Sequence, residues 1–443
     1  MAENRGRWGT RLGFILAAAG SAVGLGNIWK FPYLTGENGG AAFLVIYLLL
    51  VFSIGLSVML GEFVIGRAAE RSPVGAFARL RGRGWQFAGF LGVTAGFIIL
   101  SFYSVVAGWA VAYIYKAGAG VLATSDPAAL GAMFKSFSAD PTEPILYHAL
   151  FMALTVGVVV AGVHGGIERT CEILLPLLFL LLVVLAVRSL TLPGAMAGIE
   201  FYLAPDFSKV TASTLHSALA QAFFSLSLGM GAMITYGSYL SHDVNLPRAT
   251  MLVTLCDTTV AIVAGLVILP AVFAFSFDPS AGPGLVFITL PAVFAQMPLG
   301  VFFAVAFFIM LAIAALTSSV SLLEVVVAYF VDQRGTRRST AAIGAGIAIF
   351  LLGVPSSLSL GVWSGFTVGG KGFLDLMDYI GSNILLPVGG IAVSLFVGWV
   401  ILPRAIEEAS SRGRYPFPLA PAWQFICRYV APVAIGWILI AGL

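Results

Sequence analysis

The stretch Gly20-Ser-Ala-Val-Gly-Leu-Gly-Asn27 lies in the middle of the first long apolar segment, and it predicts that a helix there is interrupted. Glycine destabilises a helix by about 1 kcal/mol relative to alanine, and Gly24 and Gly26 are only one residue apart. A second stretch of this kind, Ser225-Leu-Ser-Leu-Gly-Met-Gly231, lies in the sixth apolar segment. Unwound backbone in lipid leaves N–H and C=O groups without hydrogen-bond partners, which costs several kcal/mol for each group. Such breaks therefore persist where something binds to them.

The composition indicates that the whole chain lies in a membrane. Of its 443 residues 59% are hydrophobic and 10% are charged, with a mean hydropathy of +1.00, whereas about a quarter of the residues of soluble domains are charged. Because backbone in lipid must satisfy its own hydrogen bonds, the apolar segments predict a helix bundle with no soluble domain. We expect eleven spans, near 10–36, 41–68, 87–116, 147–163, 170–188, 214–240, 247–274, 299–331, 340–358, 374–401 and 422–442.

The distribution of basic residues predicts the orientation, because Lys and Arg in short loops mark the cytoplasmic side. The segment 276–298 contains Asp278 and no basic residue. With the N-terminus inside, this segment lies on the external side, and the cytoplasmic side holds Arg5, Arg7, Arg11, Arg71, Arg79, Arg81, Arg83, Arg169, Arg248, Arg334, Arg337, Arg338, Arg404, Arg412 and Arg414. We therefore expect a cytoplasmic N-terminus and an external C-terminus.

The spacing of the two breaks, five spans apart, predicts two structural repeats of opposite topology. Within a single domain, residues 1–188 would form the first repeat, 189–402 the second, and 403–443 an additional helix. Helix packing is an alternative explanation for the first break, because Gly20 and Gly24 also form a G-x-x-x-G pattern. Matched breaks in corresponding positions of two repeats are, however, typical of a transporter binding site.

The two ends of a broken helix favour different ligands. Carbonyl groups at the end of the inner half suit a cation, and the N–H groups around Leu25 and Gly26 suit a carboxylate. A zwitterion, or an anion bound with Na⁺, therefore fits better than a cationic substrate.

The residues around both breaks resemble the neurotransmitter:sodium symporter family, specifically its bacterial amino-acid branch with the leucine-transporter fold. Matching stretches include Ala22-Val-Gly-Leu-Gly-Asn27, Glu37-Asn-Gly-Gly40, Tyr103–Trp109, Gly166–Arg169, Gln221–Tyr239 and Leu316–Ser319. The resemblance implies an all-α protein of a prokaryotic inner membrane, with eleven transmembrane helices in a 5+5 inverted repeat plus one. It also implies symport of Na⁺ with a hydrophobic or aromatic amino acid of the Trp, Tyr, Phe and Leu class.

The resemblance implies two sites for co-transported Na⁺. The first would use Ala22, Asn27, Ser225 and Asp257, completed by the substrate carboxylate. The second would use the carbonyl groups of Gly20, Val23 and Ala314 with the hydroxyls of Thr317 and Ser318. All of these ligands are oxygen atoms, as hard cations prefer. An alternative for Thr317 and its neighbours is hydrogen bonding to the preceding helical turn.

The resemblance also implies a substrate site formed by Ala22, Gly24, Leu25, Gly26, Tyr103, Phe224, Ser225, Ser227, Met230, Ser318 and Leu322. Monoamine carriers of the family place an Asp at the position of Gly24, so here the substrate must bring its own carboxylate. The apolar end, with Phe224, Met230 and Leu322, predicts a hydrophobic side chain.

Asp257 departs from the members of the family that require chloride, which have a neutral Asn at this position. An Asp at the centre of a membrane helix costs roughly 2.5–3.5 kcal/mol, so it requires a partner. Sodium is the expected partner, and a fixed negative charge there would replace bound chloride. We expect chloride-independent transport, although the chloride-site neighbours Tyr47 and Gln221 are present. The alternative is a protonated, structural Asp.

Two charge pairs would gate the site by resemblance: Lys30 with Asp378 outside, and Arg5 with Asp332 inside. Gly166 and Pro176 match a family pattern that lets the fifth span unwind.

Three other kinds of membrane protein are compatible with the composition alone. A proton-coupled carrier of the same fold would have a basic side chain in place of the second Na⁺, where this chain has Thr317 and Ser318. A channel would have repeated filter loops or rings of like charge. An enzyme would have a cluster of side chains that act as nucleophile, base or metal ligands. Neither pattern occurs in the sequence. The expected partners are therefore an amino acid, Na⁺ and lipid, with no nucleic acid, and the oligomeric state is left open.

Overall fold

The computed structural model describes residues 6–279, 282 and 284–442, and these form an almost entirely helical protein. Within them, the one β-type pairing that occurs is an isolated bridge between Val368 and Lys371. Nine helices are long and apolar enough to cross a membrane: Ala41–Ala69, Arg83–Gly118, Glu143–Val160, Val163–Leu190, Leu246–Ala274, Gly300–Arg334, Arg338–Leu358, Phe373–Val400 and Ala420–Ala441. The predicted all-α membrane class is confirmed.

The first apolar segment forms two helices, Arg11–Ala22 and Gly26–Glu37, which meet at an angle of 49°. The Thr10 hydroxyl accepts a hydrogen bond from Gly13 N and caps the first of them. The helix ends at Ala22 because Val23 turns to an extended conformation. Counted as one span, this first broken helix brings the spans among the described residues to ten.

The segment predicted as the sixth span also forms two helices, Ala212–Ser225 and Ala232–Gly237. With 14 and 6 residues, each is shorter than a membrane span. The predicted count of eleven therefore stays a prediction. Residues 226–231 connect them, with Gly229 and Gly231 at positive φ values of 78° and 76°. Glycine adopts this left-handed conformation at little cost, which explains where this second broken helix is interrupted.

Shorter helices connect the spans. They are Pro73–Arg81, Pro127–Ala139, Ala195–Leu203, Leu285–Ala295 and Leu402–Ala409. Each of them is well below the length that a membrane span requires.

Two long helices, Gln86–Gly118 and Gly300–Arg334, pack along each other and support both broken helices. Close approach depends on small residues, as is usual between membrane helices. A Cβ added at Gly96 would lie 3.3 Å from the Leu322 carbonyl oxygen, and one at Gly92 would lie 3.2 Å from Gly231 N. The second break is thereby held directly against this pair of helices.

Candidate functional site

A cavity of about 20 Å³ lies where both breaks face the two long helices. It is lined by Ser21, Ala22, Gly24, Leu25, Gly26, Ile99, Tyr103, Phe224, Ser227, Met230, Ser318 and Leu322. Ten of the eleven predicted substrate residues line it; the exception is Ser225. Ser21 and Ile99 were missed. Ser21 is part of the first predicted stretch, whereas Ile99, one turn before Tyr103 on its helix, has no distinguishing signal in the sequence.

Polar groups of the first break meet the long helices at one end of this cavity. Leu25 N donates to Tyr103 Oη at 3.1 Å, and Gly24 N donates to Asn27 Oδ1 at 3.0 Å. From the second break, Ser227 Oγ donates to the carbonyl oxygen of Ser21 at 2.8 Å. The lining also includes the apolar side chains of Phe224, Met230 and Leu322. The cavity is therefore amphipathic, with a polar end at unwound backbone.

A fully buried polar cluster adjoins the cavity where the predicted first cation site lies. Asn27 Nδ2 donates to Asp257 Oδ1 at 2.7 Å and to Ser225 Oγ at 3.1 Å. Ser225 Oγ in turn donates to Asp257 Oδ2 at 2.9 Å. Tyr47 Oη lies 3.3 Å from Ser225 Oγ, and Gln221 Nε2 donates to the Gly26 carbonyl oxygen at 2.7 Å. Ser225 thus joins this cluster rather than the cavity wall.

A second group of oxygen atoms lies where the predicted second cation site is. Ser318 Oγ is 3.3 Å from the carbonyl oxygen of Gly20 and 3.0 Å from that of Val23. Thr317 Oγ1 is 3.1 Å from the carbonyl oxygen of Ala314, a bond within its own helix. The backbone bond considered for Thr317 is therefore present, whereas Ser318 reaches across to the first break.

The second break is held in place by a buried carboxylate. Gly229 N donates to Glu62 Oε1 at 2.7 Å, and Glu62 is fully buried. This contact satisfies an N–H group that the interrupted helix leaves free, and without it the desolvated group would cost about 1–3 kcal/mol.

The comparison with protein families agrees with this geometry. The sequence pattern described as "Sodium:neurotransmitter symporter family" matches residues 5–126 and 140–443, nearly the whole chain. The protein belongs to this family.

Individual relatives extend the comparison. An uncharacterized sodium-dependent transporter of Bacillus subtilis is 42% identical, with 97% of this chain and 96% of the relative covered. The sodium- and chloride-dependent GABA transporter 2 of Homo sapiens is 26% identical, over 95% of this chain and 78% of that protein. Among solved structures, MhsT in complex with L-phenylalanine is 48% identical, with a TM-score of 0.92 over 99% of this chain and 100% of that one.

The predicted family is thereby confirmed, and the chain is a sodium-dependent symporter with a multi-pass membrane fold like that of MhsT. The family is one of transporters and not of enzymes.

The predicted outer pair is formed in this symporter. Lys30 Nζ lies 3.3 Å from Asp378 Oδ1, and it also lies over the ring of Phe224, 4.4 Å from the centroid. The ammonium therefore covers one wall of the cavity.

For the inner pair, Asp332 accepts a hydrogen bond from Ser72 N at 2.5 Å. Its predicted partner, Arg5, lies outside the described residues.

Glu168 anchors the N-terminal segment, a contact that sequence reasoning missed. Its carboxylate accepts hydrogen bonds from Gly9 N at 2.7 Å and Thr10 N at 2.9 Å, and it lies 2.8 Å from His164 Nδ1. A Cβ at Gly13 would lie 2.0 Å from Glu168 Oε1. The sequence feature that could have indicated this contact is a carboxylate in the Gly166–Arg169 stretch, at the start of an apolar span.

A partly buried ion pair between Arg338 and Glu324 was also missed. Arg338 donates to both carboxylate oxygens of Glu324, at 3.0 and 2.5 Å, and Tyr239 Oη donates to Glu324 Oε1 at 2.6 Å. Glu324 is the one acidic residue between Gly300 and Val331, which was a usable signal.

Proposed function

We propose that the protein couples inward movement of Na⁺ to uptake of hydrophobic L-amino acids of the Trp, Tyr, Phe and Leu class by alternating access. The observation that carries this proposal is the amphipathic cavity between two unwound helices, together with the two buried oxygen clusters near it. A cavity of about 20 Å³ exceeds the space of a single water molecule only slightly, so a large side chain requires the wall to move. Met230, a flexible thioether, is suited to this.

The polar end of the cavity supports an amino acid as substrate. The Tyr103 hydroxyl and the N–H groups of Leu25 and Gly26 would bind its carboxylate, as helix N-termini bind anions. Gly24 offers no side-chain charge for an amine, so the ammonium group would bind to backbone carbonyls of the two breaks. The similarity to MhsT, solved with L-phenylalanine, supports the hydrophobic class.

Two Na⁺ ions would be co-transported. Ala22, Asn27, Ser225 and Asp257 would bind the first together with the substrate carboxylate. This shared ligand is the physical basis of coupling, because each solute then raises the affinity for the other. Gly20, Val23, Ala314, Thr317 and Ser318 would bind the second.

Asp257 supports chloride independence. Its carboxylate is fully buried and its hydrogen-bond donors are the neutral side chains of Asn27 and Ser225. A buried carboxylate without a cationic partner is costly, and Na⁺ would neutralise it. A fixed charge would then do at this site what a bound chloride ion does in chloride-dependent relatives.

The Lys30–Asp378 pair would close the outer side, and Arg5 with Asp332 the inner side. We further propose eleven spans, with residues 1–188 and 189–402 as inverted repeats and 403–443 as an additional helix, in one domain. The N-terminus would lie in the cytoplasm and the protein in a prokaryotic inner membrane.

Counterflow into proteoliposomes tests this function against a proton-coupled carrier. Liposomes loaded with unlabelled L-leucine should accumulate labelled L-leucine with Na⁺ on both sides and not with K⁺ on both sides, at one pH. The proton-coupled alternative predicts counterflow in K⁺ that changes with pH, and this result would exclude the proposal.

Pro176 provides a test of sodium release. It lies inside helix Arg169–Leu190, where it cannot donate a backbone hydrogen bond, and Cys171 of this helix lies against Gly20. A proline inside a helix weakens it by about 3 kcal/mol. We expect Pro176→Ala to slow inward release of radioactive sodium from proteoliposomes about tenfold or more. Half of the free energy by which proline weakens a helix corresponds to a factor of ten in rate.

Pro355→Ala, in helix Arg338–Leu358, is the matched control and should leave the release rate unchanged. Equal rates in Pro176→Ala and the wild type would argue against opening of this helix.

A further inference from the structure

A second, larger cavity lies at the ends of several spans, away from the site described above. Its volume is about 410 Å³, within the roughly 300–1,000 Å³ typical of small-molecule sites. Three exposed arginines, Arg79, Arg404 and Arg412, contribute to its lining. Arg404 follows the span Phe373–Val400 by four residues, and Ala68, which also lines the cavity, lies at the end of the span Ala41–Ala69. The cavity therefore lies at the level where a membrane has its headgroups.

The acidic residues of this cavity are largely bound within the protein. Glu408 Oε1 accepts from Arg67 Nε at 2.6 Å and lies 3.1 Å from His242 Nδ1. His242 Nε2 is 3.5 Å from Glu70 Oε1. Arg67 is fully buried and also donates to the Val244 carbonyl oxygen at 2.7 Å. These contacts form a rigid floor in which the charge of Glu408 is already compensated.

The three lining arginines, in contrast, retain most of their donors. Arg79 donates to the Ala69 carbonyl oxygen at 2.8 Å, and Arg404 donates to that of Ala68 at 3.3 Å. The side chain of Arg412 has no hydrogen-bond or ion-pair partner among the residues that the structure describes. Since a guanidinium group has five N–H donors, each of these arginines can bind a further acceptor.

The charge balance favours an anion. With Glu408 compensated by Arg67, three arginines face Glu70 and Glu407, which leaves one positive charge, or two when His242 is protonated. Arginine binds phosphate with two parallel hydrogen bonds. We propose that this cavity binds a phosphate group, either on the headgroup of an anionic phospholipid or as soluble phosphate.

The test is thermal stability of the full-length protein in neutral detergent. One series adds phosphatidylglycerol, which has a net negative charge, with zwitterionic phosphatidylcholine, in which choline neutralises the phosphate, as the reference. Another adds sodium phosphate, and its reference contains sodium chloride at equal sodium concentration with choline chloride added to equal ionic strength. A rise in Tm with phosphatidylglycerol alone identifies a lipid headgroup, and a saturable rise with sodium phosphate identifies soluble phosphate.

Two variants establish the place of binding. Arg412 has no partner in the described part of the protein, so R412Q leaves the internal contacts intact. The double variant R404Q/R412Q should shift the half-saturating concentration of the active ligand about 30-fold upward, since each basic residue near a membrane surface contributes a factor of about five. Sodium-dependent amino-acid binding by both variants verifies that they are folded.

R334Q/R337Q is the matched control, because it removes two exposed arginines outside the cavity. The Tm of this control should rise with the active ligand as that of the wild type does. The proposal is overturned if neither ligand raises the Tm of the wild type, if R412Q and R404Q/R412Q respond as the wild type does, or if the control loses the response equally.

Discussion

Asp257→Asn should raise the half-saturating concentration of Na⁺ for substrate binding roughly 100-fold in chloride-free buffer. The carboxylate is fully buried and accepts hydrogen bonds from Asn27 and Ser225, and in our proposal it binds the first Na⁺. Removing one partner of a buried charge pair costs about 3–5 kcal/mol, and 1.4 kcal/mol is a factor of ten. Because Asn removes the charge and keeps the shape, added chloride should restore part of the affinity.

The matched control is Thr258→Val at the neighbouring position. Thr258 is buried and its hydroxyl has no hydrogen-bond partner among the described residues, so sodium affinity should stay within about twofold of the wild type. Both variants are compared by titrating NaCl and sodium gluconate at fixed labelled substrate. Wild-type sodium affinity of Asp257→Asn in gluconate would mean that Asp257 has only a structural role.

Gly24→Ala should weaken substrate binding strongly. A Cβ at this position would lie 2.5 Å from Ser318 Oγ and 2.8 Å from Tyr103 Oη. Both side chains are held by contacts to the first break, so the methyl group would displace them or fill the polar end of the cavity. Overpacking of this kind costs about 1–3 kcal/mol, and we expect affinity for labelled L-leucine to fall about 30-fold or more.

Gly157→Ala provides the control for helix effects. Gly157 lies in helix Glu143–Val160, where an added Cβ meets nothing within 4 Å, so this variant should bind as the wild type does. Unchanged affinity in Gly24→Ala would place the substrate elsewhere.

The sequence predicted the helices well because each span is a long apolar run with clear ends. The predicted span 247–274 differs by one residue from Leu246–Ala274, and 374–401 differs from Phe373–Val400 by one residue at each end. Glycine at both interruptions indicated where helices would stop, since its backbone freedom is a local property. The number of spans was harder to predict, because residues 212–237 form two helices that are each too short to resemble a span.

For the site, the residues next to each break were predictable from the breaks and the resemblance together. Ile99 was not, because an apolar residue on a helix gives no sign of which side faces a cavity. Glu168, Glu324 and Arg67 were identifiable as charged residues in apolar segments. Their partners at positions 9, 338 and 408 depend on how distant segments pack, and local sequence does not contain that information.

The central claim, sodium coupling without chloride, is tested most directly by equilibrium binding of labelled L-phenylalanine to the purified protein in NaCl, sodium gluconate and KCl. Our account predicts equal saturable binding in the two sodium salts and none in KCl. Binding that persists in KCl would contradict sodium coupling, and binding that is lost in sodium gluconate would contradict the role of Asp257 as the fixed negative charge.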